Sequence, residues 1–253
     1  MDTLFDLAGR TALVTGGNKG LGRAMATGLA RSGAKVFIAS RNAAELEATA
    51  EAISRETGRR CEWATVDMSR RDEIARLAET AIGRLGKIDI LINNAGMNFP
   101  QAIDDVTDEA WDRVVEVNLS SVMALTRSVV PGMKERRWGR IVHISSIMGR
   151  VSKEKRNAYS ATKSALQGLC RASALDLGAY GVTVNCLAPG PFLTEMPMSI
   201  LSDAEKQAFA DRTALGRWAN PDELVGPVLL LASEAGSYIT GQTLYVDGGY
   251  TAR

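Results

Sequence analysis

The chain has 253 residues, of which 45% are hydrophobic and 23% are charged, and its formal net charge is +1. One large α/β domain fits this length better than two small ones. A charge so near zero excludes the strongly basic surface that nucleic acid or an anionic membrane would bind. No apolar run approaches the roughly 18 residues of a membrane-spanning helix, and Asp2 and Asp6 argue against a signal peptide. We therefore expect a cytoplasmic protein without nucleic acid or membrane partners.

Residues typical of metal and hydrolase sites are few. Cys61, Cys170 and Cys186 lie far apart and show no metal-ligand or redox spacing, so we expect reduced, buried thiols. The only histidine, His143, lies in the apolar run 141–144, where packing in or beside a sheet is favoured over chemistry. No metal site is expected, and a Ser-His-Asp hydrolase is difficult to build.

Short apolar runs alternate with amphipathic stretches along the whole chain. Runs of strand length are 12–14, 36–38, 63–66, 88–92, 141–144, 182–184 and 244–246. Stretches with helical periodicity are 21–32, 43–56, 70–85, 108–130, 158–180 and 221–233. The sequence Asn220-Pro221-Asp222-Glu223 is typical of a capped helix start, and Pro131 is predicted to end the fourth helix.

Strands that are buried on both faces and alternate with helices indicate a parallel sheet with right-handed crossovers. We therefore predict a single doubly wound Rossmann-type α/β domain over residues 1–253, with about seven parallel strands and helices on both faces. Ligands in this architecture bind outside the carboxyl ends of the strands. Functional residues are therefore expected just after the strands.

A glycine-rich loop joins the first strand to the first helix and reads Thr15-Gly16-Gly17-Asn18-Lys19-Gly20-Leu21-Gly22. Its glycines allow a tight turn, close approach to a pyrophosphate and close packing of helix on strand. An ordinary glycine-rich turn is the alternative, but the strand-loop-helix context favours a dinucleotide. The residues expected to bind it here are Gly16, Asn18, Lys19, Gly20, Leu21 and Gly22.

The end of the second strand indicates which dinucleotide binds. An acidic residue there would bind the ribose 2′-hydroxyl of NAD, but this chain has Ser40 and Arg41. Ser40 can donate to a 2′-phosphate, Arg41 can pair with it, and Lys19 can add a second positive charge. The alternative is that Arg41 is a solvated residue at the start of the next helix. The pattern favours NADP(H) over NAD(H).

The ends of the third and fourth strands complete the predicted adenosine site. Asp67, followed by Met68, is placed to accept a hydrogen bond from the adenine amino group. Asn94, Ala95 and Gly96 follow the fourth strand and are expected beside the adenosine ribose.

Tyr159 and Lys163 are four residues apart in a helical stretch, so both project from one face. The pKa of a free tyrosine, about 10, makes it a poor acid or base at neutral pH, and a nearby ammonium would lower that pKa. Ser146, after the fifth strand, can bind a substrate oxygen, whereas strand alternation turns Ser145 to the other face. Asn118, in the fourth helix, can hold a water that links Lys163 to solvent.

Together these motifs resemble the short-chain dehydrogenase/reductase family over essentially the whole chain. The residues that carry the resemblance are Thr15-Gly16-x-x-x-Gly20-x-Gly22, Asn93-Asn94-Ala95-Gly96, Asn118, Ser146, Tyr159-x-x-x-Lys163, Pro189-Gly190, Thr194 and Tyr245-Val246-Asp247-Gly248-Gly249. The resemblance implies hydride transfer at nicotinamide C4 and a homotetramer built on the long helices and the C-terminal strand. It implies that Asn118, Ser146, Tyr159 and Lys163 are catalytic. The further residues it implies at the cofactor are Tyr159, Lys163, Pro189, Gly190, Phe192 and Thr194.

The sequence indicates the substrate less specifically than it indicates the cofactor. Residues 215–226 are similar to a stretch of gluconate 5-dehydrogenase-like members, and 3-oxoacyl-carrier-protein reductases share the general pattern. We predict hydride transfer between NADP(H) and a ketone or secondary alcohol, with a sugar acid or polyol favoured and a 3-oxoacyl thioester as the alternative. A non-catalytic dinucleotide sensor is a further alternative, although it would not need the four catalytic side chains.

An insertion at about 191–218 is predicted to cover the nicotinamide as an apolar flap, or to be a helical pair that packs on the domain. The residues expected to line the pocket are Asn98, Ser146, Met148, Pro191 and Met196. Lys153, Lys155 and Arg156 precede Tyr159 near the expected mouth of the cleft. We hypothesise that they attract an anionic substrate, and a solvated charged loop is the favoured alternative.

Overall fold

The computed structural model describes residues 3–252, apart from the side chains of Thr3, Met196, Pro197 and Ile200. Within this range seven strands form one sheet in the order β3-β2-β1-β4-β5-β6-β7, and every neighbouring pair is parallel. The strands are β1 (Thr11–Thr15), β2 (Lys35–Ser40), β3 (Glu62–Thr65), β4 (Ile90–Asn93), β5 (Gly139–Ile144), β6 (Val182–Pro189) and β7 (Thr243–Val246). The strand order reverses between β1 and β4, so the ends of these two strands border the crevice where this architecture binds ligands.

Helices cover both faces of the sheet. The α-helices of the described range are α1 (Gly20–Arg31), α2 (Ala43–Thr57), α3 (Arg71–Leu85), α4 (Asp108–Val115), α5 (Ser121–Arg136), α6 (Asn157–Leu177), α7 (Glu195–Ile200), α8 (Asp203–Asp211) and α9 (Val225–Ala232). Helices α3, α5 and α6 pack on one face, and α1, α2 and α9 pack on the other. The predicted fold class is therefore confirmed. Among residues 3–252, no helix combines the length and apolar character needed to cross a membrane.

The central strands are buried on both sides because their side chains alternate between the two helical layers. Leu13 of β1 packs towards α3, α5 and α6, whereas its neighbour Val14 packs towards α1, α2 and α9. His143 of β5 is 0% exposed, and its Nδ1 lies 3.1 Å from Nδ2 of Asn93. Burial lowers the pKa of His143 to about 4, so the imidazole is neutral at physiological pH. The predicted packing of His143 within the sheet is confirmed.

The fourth predicted helix differs from the structure in two respects. It continues through Pro131 to Arg136, so the prediction that Pro131 ends it is wrong. Packing outweighs the missing proline N–H, because Val129 and Met133 are 2% and 0% exposed and join the core beside β5. The helix also widens into one π-helical turn, Glu116–Ser120, between α4 and α5. Such turns occur frequently at functional sites.

Residues 191–218 contain a helical pair, α7 and α8. Ser202 caps α8, and Phe209 of α8 meets Trp218 edge to face, with ring centroids 5.5 Å apart. The predicted start of the last helix is also present, because the Glu223 carboxylate accepts from the Asn220 N–H at 2.8 Å and Pro221 begins the turn. Phe209 also packs against the cluster of Ile147, Met148 and Tyr250, which includes Tyr159 at its edge.

Candidate active site

The loop between β1 and α1 is packed too tightly for side chains at its key glycines. Gly16 and Gly20 have φ angles of +63° and +54°, which favour glycine. A Cβ at Gly16 would lie 2.8 Å from Nδ2 of Asn94, and a Cβ at Gly22 would overlap the Gly16 carbonyl. The side chain of Lys19 does not cap α1, so the first N–H groups of the helix remain available to an anion. The loop therefore fits a pyrophosphate, while Leu21 packs on the core below it.

Thr15 joins this loop to the turn after β4. Its hydroxyl accepts hydrogen bonds from the N–H groups of Asn94 and Ala95, each at 3.0 Å. Nδ2 of Asn94 donates in return to the carbonyls of Thr15 and Gly16, at 2.8 and 3.2 Å. Thr15 was not among the predicted cofactor-binding residues, and its position as the last residue of β1 is the signal that could have identified it.

The end of β2 presents polar groups that lack protein partners. Within residues 3–252, the Ser40 hydroxyl is buried without a hydrogen bond, and Arg41 is exposed and forms no ion pair. Oδ1 of Asp67 accepts from the Ser69 N–H at 2.9 Å and from its hydroxyl at 2.8 Å. The Ser69 N–H, with smaller contributions from the charges of Arg113 and Arg41, lowers the pKa of Asp67. These groups fit the phosphorylated ribose and adenine of a dinucleotide.

The charge of Lys19 is less available to a 2′-phosphate than the sequence suggested. Its Nζ lies 3.6 Å from carboxylates of both Glu45 and Glu195, and Asn18 donates a short hydrogen bond to Glu45. The charge of Lys19 is therefore shared with two acids, and Arg41 is the more accessible cation at this end of the sheet. Met68 is 6% exposed and packs in the core, which leaves mainly its backbone for ligand contact.

Asn118 lies in the π-helical turn and connects the loop after β4 with α6. Its Oδ1 accepts from the Met97 N–H at 2.8 Å, and its Nδ2 donates to the Met97 carbonyl at 2.9 Å. The same Nδ2 donates to Oγ1 of Thr162 at 3.2 Å. Asn118 is 0% exposed, so these contacts hold Met97 against the helix that carries Tyr159 and Lys163.

Lys163 carries a buried ammonium group. The residue is 4% exposed, and Nζ donates to the Ile144 carbonyl at 2.7 Å. Burial lowers the pKa of Lys163 to about 8. Nζ lies 5.6 Å from the centre of the Tyr159 ring and 3.4 Å from the position a Cβ of Gly96 would occupy. A side chain at Gly96 would therefore crowd the ammonium group.

The two serines after β5 point in different directions, as strand alternation predicts. Ser145 donates to the Lys163 carbonyl at 2.8 Å, whereas the Ser146 hydroxyl accepts from the Met148 N–H at 3.1 Å and lies near the Tyr159 phenol. Desolvation raises the pKa of Tyr159, and the nearby Ser146 hydroxyl and the charge of Arg156 oppose that rise. The structure thus brings Ser146, Tyr159 and Lys163 together at the carboxyl end of β5.

The segment after β6 borders the phosphate loop. Pro189 ends β6, and a Cβ at Gly190 would lie 2.7 Å from Cα of Asp247, which explains the glycine. The Thr194 side chain lies close to Gly20, since a Cβ added there would be 3.5 Å from it. Phe192 is 4% exposed and packs in the core beside α1. This segment is therefore close enough to contribute to the same ligand site.

The residues predicted to line the substrate pocket differ in burial and in hydrogen bonding. Met148 is 8% exposed and packs with Tyr250 and Phe209, while Pro191 is buried, with its carbonyl accepting from the Ala219 N–H at 3.0 Å. Oδ1 of Asn98 is buried and has no hydrogen-bond partner in the described part of the chain. The side chain of Met196, also predicted to line the pocket, lies outside the described residues.

Known proteins match this chain over nearly its full length. A family model described as enoyl-(acyl carrier protein) reductase matches residues 16–251. Gluconate 5-dehydrogenase of Gluconobacter oxydans (strain 621H) is 37% identical over 98% of this chain and 97% of its own. The 3-oxoacyl-[acyl-carrier-protein] reductase of Chlamydia trachomatis serovar D is 36% identical over 96% and 98%. The solved structure of a candidate NAD(P)-dependent gluconate 5-dehydrogenase from Beutenbergia cavernae, with NADP bound at low occupancy, is 38% identical with a TM-score of 0.93 over 98% and 99%. The chain belongs to the short-chain dehydrogenase/reductase family.

Proposed function

We propose that the protein is an NADP(H)-dependent oxidoreductase that interconverts a ketone and a secondary alcohol, with Tyr159 as the general acid and base. The observation that carries this proposal is the grouping of three side chains at the end of β5. The Ser146 hydroxyl lies near the Tyr159 phenol, and Nζ of Lys163 lies 5.6 Å from the tyrosine ring centre. A non-catalytic sensor would need the phosphate loop but not this grouping.

When bound, the nicotinamide would supply or accept the hydride. The chain's own residues would bind the substrate oxygen and transfer its proton. Ser146 and Tyr159 bind that oxygen through their hydroxyl groups. In reduction Tyr159 donates its phenolic proton to the oxygen, and in oxidation the phenolate accepts it. The buried Lys163 ammonium stabilises the phenolate, since the two groups share a partly desolvated site where charges interact more strongly than in water. Asn118 positions α6 by bonding to both Met97 and Thr162.

The cofactor assignment rests on the phosphate loop and the end of β2. Gly16 to Gly22, with the N-terminus of α1, would hold the pyrophosphate, and Asn94 to Gly96 would flank the ribose. The Ser40 hydroxyl and the Arg41 guanidinium would bind the 2′-phosphate, because among residues 3–252 the hydroxyl has no hydrogen bond and the guanidinium has no ion pair. The Beutenbergia cavernae relative binds NADP, which supports the same choice. NADP(H) is therefore the proposed cofactor.

The proposed substrate is a sugar acid or a polyol. Similarity to a gluconate 5-dehydrogenase supports this class, and Asn98, which is predicted to line the pocket, has a buried amide oxygen that can accept from a substrate hydroxyl. A 3-oxoacyl thioester is the second candidate, because a 3-oxoacyl-carrier-protein reductase is 36% identical to this chain.

We further propose a homotetramer built on the long helices. Trp111 on α4 and Leu175 on α6 are 39% and 85% exposed, and apolar side chains on helix faces are typical of subunit contacts. The described cysteines, Cys61, Cys170 and Cys186, are buried free thiols. Free thiols are consistent with a reducing compartment, and we propose the cytoplasm.

Replacement of Tyr159 by phenylalanine tests the catalytic proposal. Tyr159→Phe keeps the ring but removes the transferable proton, so kcat should fall by about 10²–10⁴-fold while the Kd for NADPH changes by less than about twofold. Turnover is followed by NADPH absorbance with ketoses, keto sugar acids and 3-oxoacyl thioesters, and binding by NADPH fluorescence. Tyr180→Phe, at the exposed end of the same helical region, is the matched control and should keep full activity. A Tyr159→Phe enzyme with nearly unchanged kcat would contradict the proposed role.

A further inference from the structure

The cationic side chains in the segment before Tyr159 differ in their contacts. The Arg150 guanidinium lies 5.5 Å from the centre of the Tyr245 ring, and Nζ of Lys153 lies 5.1 Å from that of Phe209. These two cations therefore interact with aromatic faces at the edge of the cleft. Lys155 and Arg156 form no ion pair with any residue in the range 3–252.

Lys155 and Arg156 differ in burial. Lys155 is exposed and its backbone adopts φ +62°, on the outer side of the turn. Arg156 is half-buried, so a charge without a protein partner is held partly away from water. Such a charge is stabilised when an anionic ligand pairs with it.

Arg156 lies at the start of the helix that carries Tyr159. It immediately precedes α6, three residues before Tyr159, and residues three apart at a helix start are neighbours on one face. Burial raises the pKa of Tyr159, and the charge of Arg156 acts on the phenol and opposes that rise. The backbone of Arg156 pairs with Gln101, and Nδ2 of Asn157 donates to the Gln101 carbonyl at 3.0 Å. These bonds fix Arg156 against the loop 97–101.

The same loop carries the buried, unbonded amide oxygen of Asn98. A buried oxygen without a hydrogen-bond donor is unfavourable, and a ligand hydroxyl would supply the donor. The segments around Tyr159 thus offer three kinds of group: the hydroxyls of Ser146 and Tyr159, a hydrogen-bond acceptor at Asn98, and at Arg156 a guanidinium without an ion pair among the described residues. Together they are complementary to a carbonyl, a hydroxyl and a carboxylate in one small molecule.

We propose that Arg156 binds the carboxylate of the substrate and that Asn98 accepts a hydrogen bond from one of its hydroxyls, so that the enzyme selects hydroxylated keto acids over neutral ketones. This inference rests on the proposed function of the same cleft and assigns its specificity to two residues. The planar guanidinium of Arg156 matches a carboxylate through two parallel hydrogen bonds. A carrier-bound thioester has its phosphate a full pantetheine arm from the reacting carbonyl, beyond a cation that adjoins Tyr159.

Paired substrates and charge variants test the role of Arg156. The enzyme is assayed with NADPH and either a keto sugar acid or a ketose of the same carbon number, which differ in the carboxylate. Arg156→Gln should raise KM for the keto acid by about tenfold or more and leave KM for the ketose within about twofold. Arg156→Lys should recover part of the loss, because lysine keeps the charge but not the fork.

Lys155→Gln is the matched control, since it removes the same charge from the neighbouring exposed position. It should change neither KM by more than about twofold. Equal effects of Lys155→Gln and Arg156→Gln would mean that a diffuse positive field, rather than Arg156, attracts the substrate. A rise in both KM values for Arg156→Gln, or in neither, would also overturn the inference.

Asn98→Ala tests the hydroxyl contact separately. The variant should raise KM for a hydroxylated keto acid by about fivefold or more, and should leave KM for an unhydroxylated keto acid of similar length within about twofold. Equal rises for the two acids would contradict the assignment of Asn98.

Binding in the absence of turnover distinguishes this inference from the proposed function. Titration calorimetry measures gluconate binding to the NADPH-saturated wild type and to NADPH-saturated Arg156→Gln, because an alcohol and the reduced cofactor cannot react with each other. If no substrate is turned over but Arg156→Gln weakens gluconate binding about tenfold, the carboxylate site stands and the proposed reaction fails. If the enzyme turns over the substrates and both proteins bind gluconate equally, the reaction stands and the carboxylate site fails.

Discussion

Lys163 has a buried ammonium group whose Nζ donates a hydrogen bond to the Ile144 carbonyl at 2.7 Å. Desolvation still lowers its pKa to about 8, so the side chain is mainly an ammonium group at neutral pH and is largely neutral well above pH 8. The charge proposed to stabilise a Tyr159 phenolate is therefore present near neutrality and declines in alkali.

Arg41 is the residue on which the cofactor preference should depend most. Arg41→Ala removes the exposed guanidinium at the end of β2, and kcat/KM for NADPH should fall by roughly tenfold to 100-fold, because a charge-assisted pair with the 2′-phosphate is lost. The value for NADH, which has no such phosphate, should change by less than about twofold. Steady-state kinetics with both cofactors measure the ratio.

Arg55→Ala is the control for this change, because Arg55 is exposed near the other end of α2. It should leave the ratio of NADPH to NADH unaltered. An unaltered ratio in Arg41→Ala as well would mean that Ser40, Lys19 or backbone groups recognise the phosphate.

At the scale of elements, α4 and α5 show how tertiary packing retains an irregular helix. The π-helical turn Glu116–Ser120 carries Asn118, whose amide bonds to Met97 and Thr162 on two other segments. A few residues further on, Pro131 lacks the N–H that would bond to the Arg127 carbonyl, yet the helix continues. Both irregularities persist because the buried face of the helix contributes more than the missing backbone bonds cost.

Two helical glycines, Gly22 and Gly83, allow the effect of close packing between elements to be separated from the effect of helix propensity. A methyl group at Gly22 would overlap the Gly16 carbonyl, so Gly22→Ala must move α1 away from the loop. We expect it to lower the free energy of unfolding by about 1–3 kcal/mol and to weaken NADPH binding strongly. Urea denaturation and NADPH titration measure the two effects.

Gly83→Ala is the matched substitution in α3. Gly83 is exposed and has nothing within 4 Å of the added Cβ, so the change should raise the free energy of unfolding by about 0.5–1 kcal/mol through helix propensity. Cofactor binding should not change. Similar effects of the two substitutions would show that the contact between Gly22 and Gly16 has no special weight.

At the scale of the whole molecule, the strand order assembles the site from distant parts of the chain. The ends of β1 and β4 are adjacent, which brings the phosphate loop beside Asn94, and β5 next to them carries Ser146 towards α6. The opposite side of α6 presents Leu175 to solvent at 85% exposure. One helix thus contributes both the catalytic pair and a surface that suits a subunit contact.

Leu175→Glu tests the proposed tetramer, because a carboxylate buried without a partner would destabilise an apolar interface. Light scattering coupled to size exclusion should give the mass of four chains for the wild type and a smaller species for the variant. Ile82→Glu, at an exposed position of α3 outside the proposed interface, should leave the mass unchanged. A wild type with the mass of one chain would contradict the tetramer.

Much of the fold and the site was predictable because its signals are local. The apolar runs predicted the seven strands, and their burial on both faces predicted the parallel sheet. The Tyr159–Lys163 spacing placed both residues on one helical face, and alternation distinguished Ser146 from Ser145. Pro131 was predicted wrongly, because local preference said nothing of the core that holds Val129 and Met133. The role of Thr15 in joining the phosphate loop to the turn after β4 was not predicted, because its partners, Asn94 and Ala95, lie about 80 positions away.

The sequence by itself determined the order of elements, the doubly wound class and the identities of the groups after each strand. Only the tertiary structure decided how those groups are used. It pairs Lys19 with Glu45 and Glu195, joins Lys163 to the Ile144 carbonyl and leaves Arg156 without an ion pair among the described residues. The physical reason is range: propensity and periodicity act over a few residues, whereas ion pairing and burial depend on which distant segments packing brings into contact.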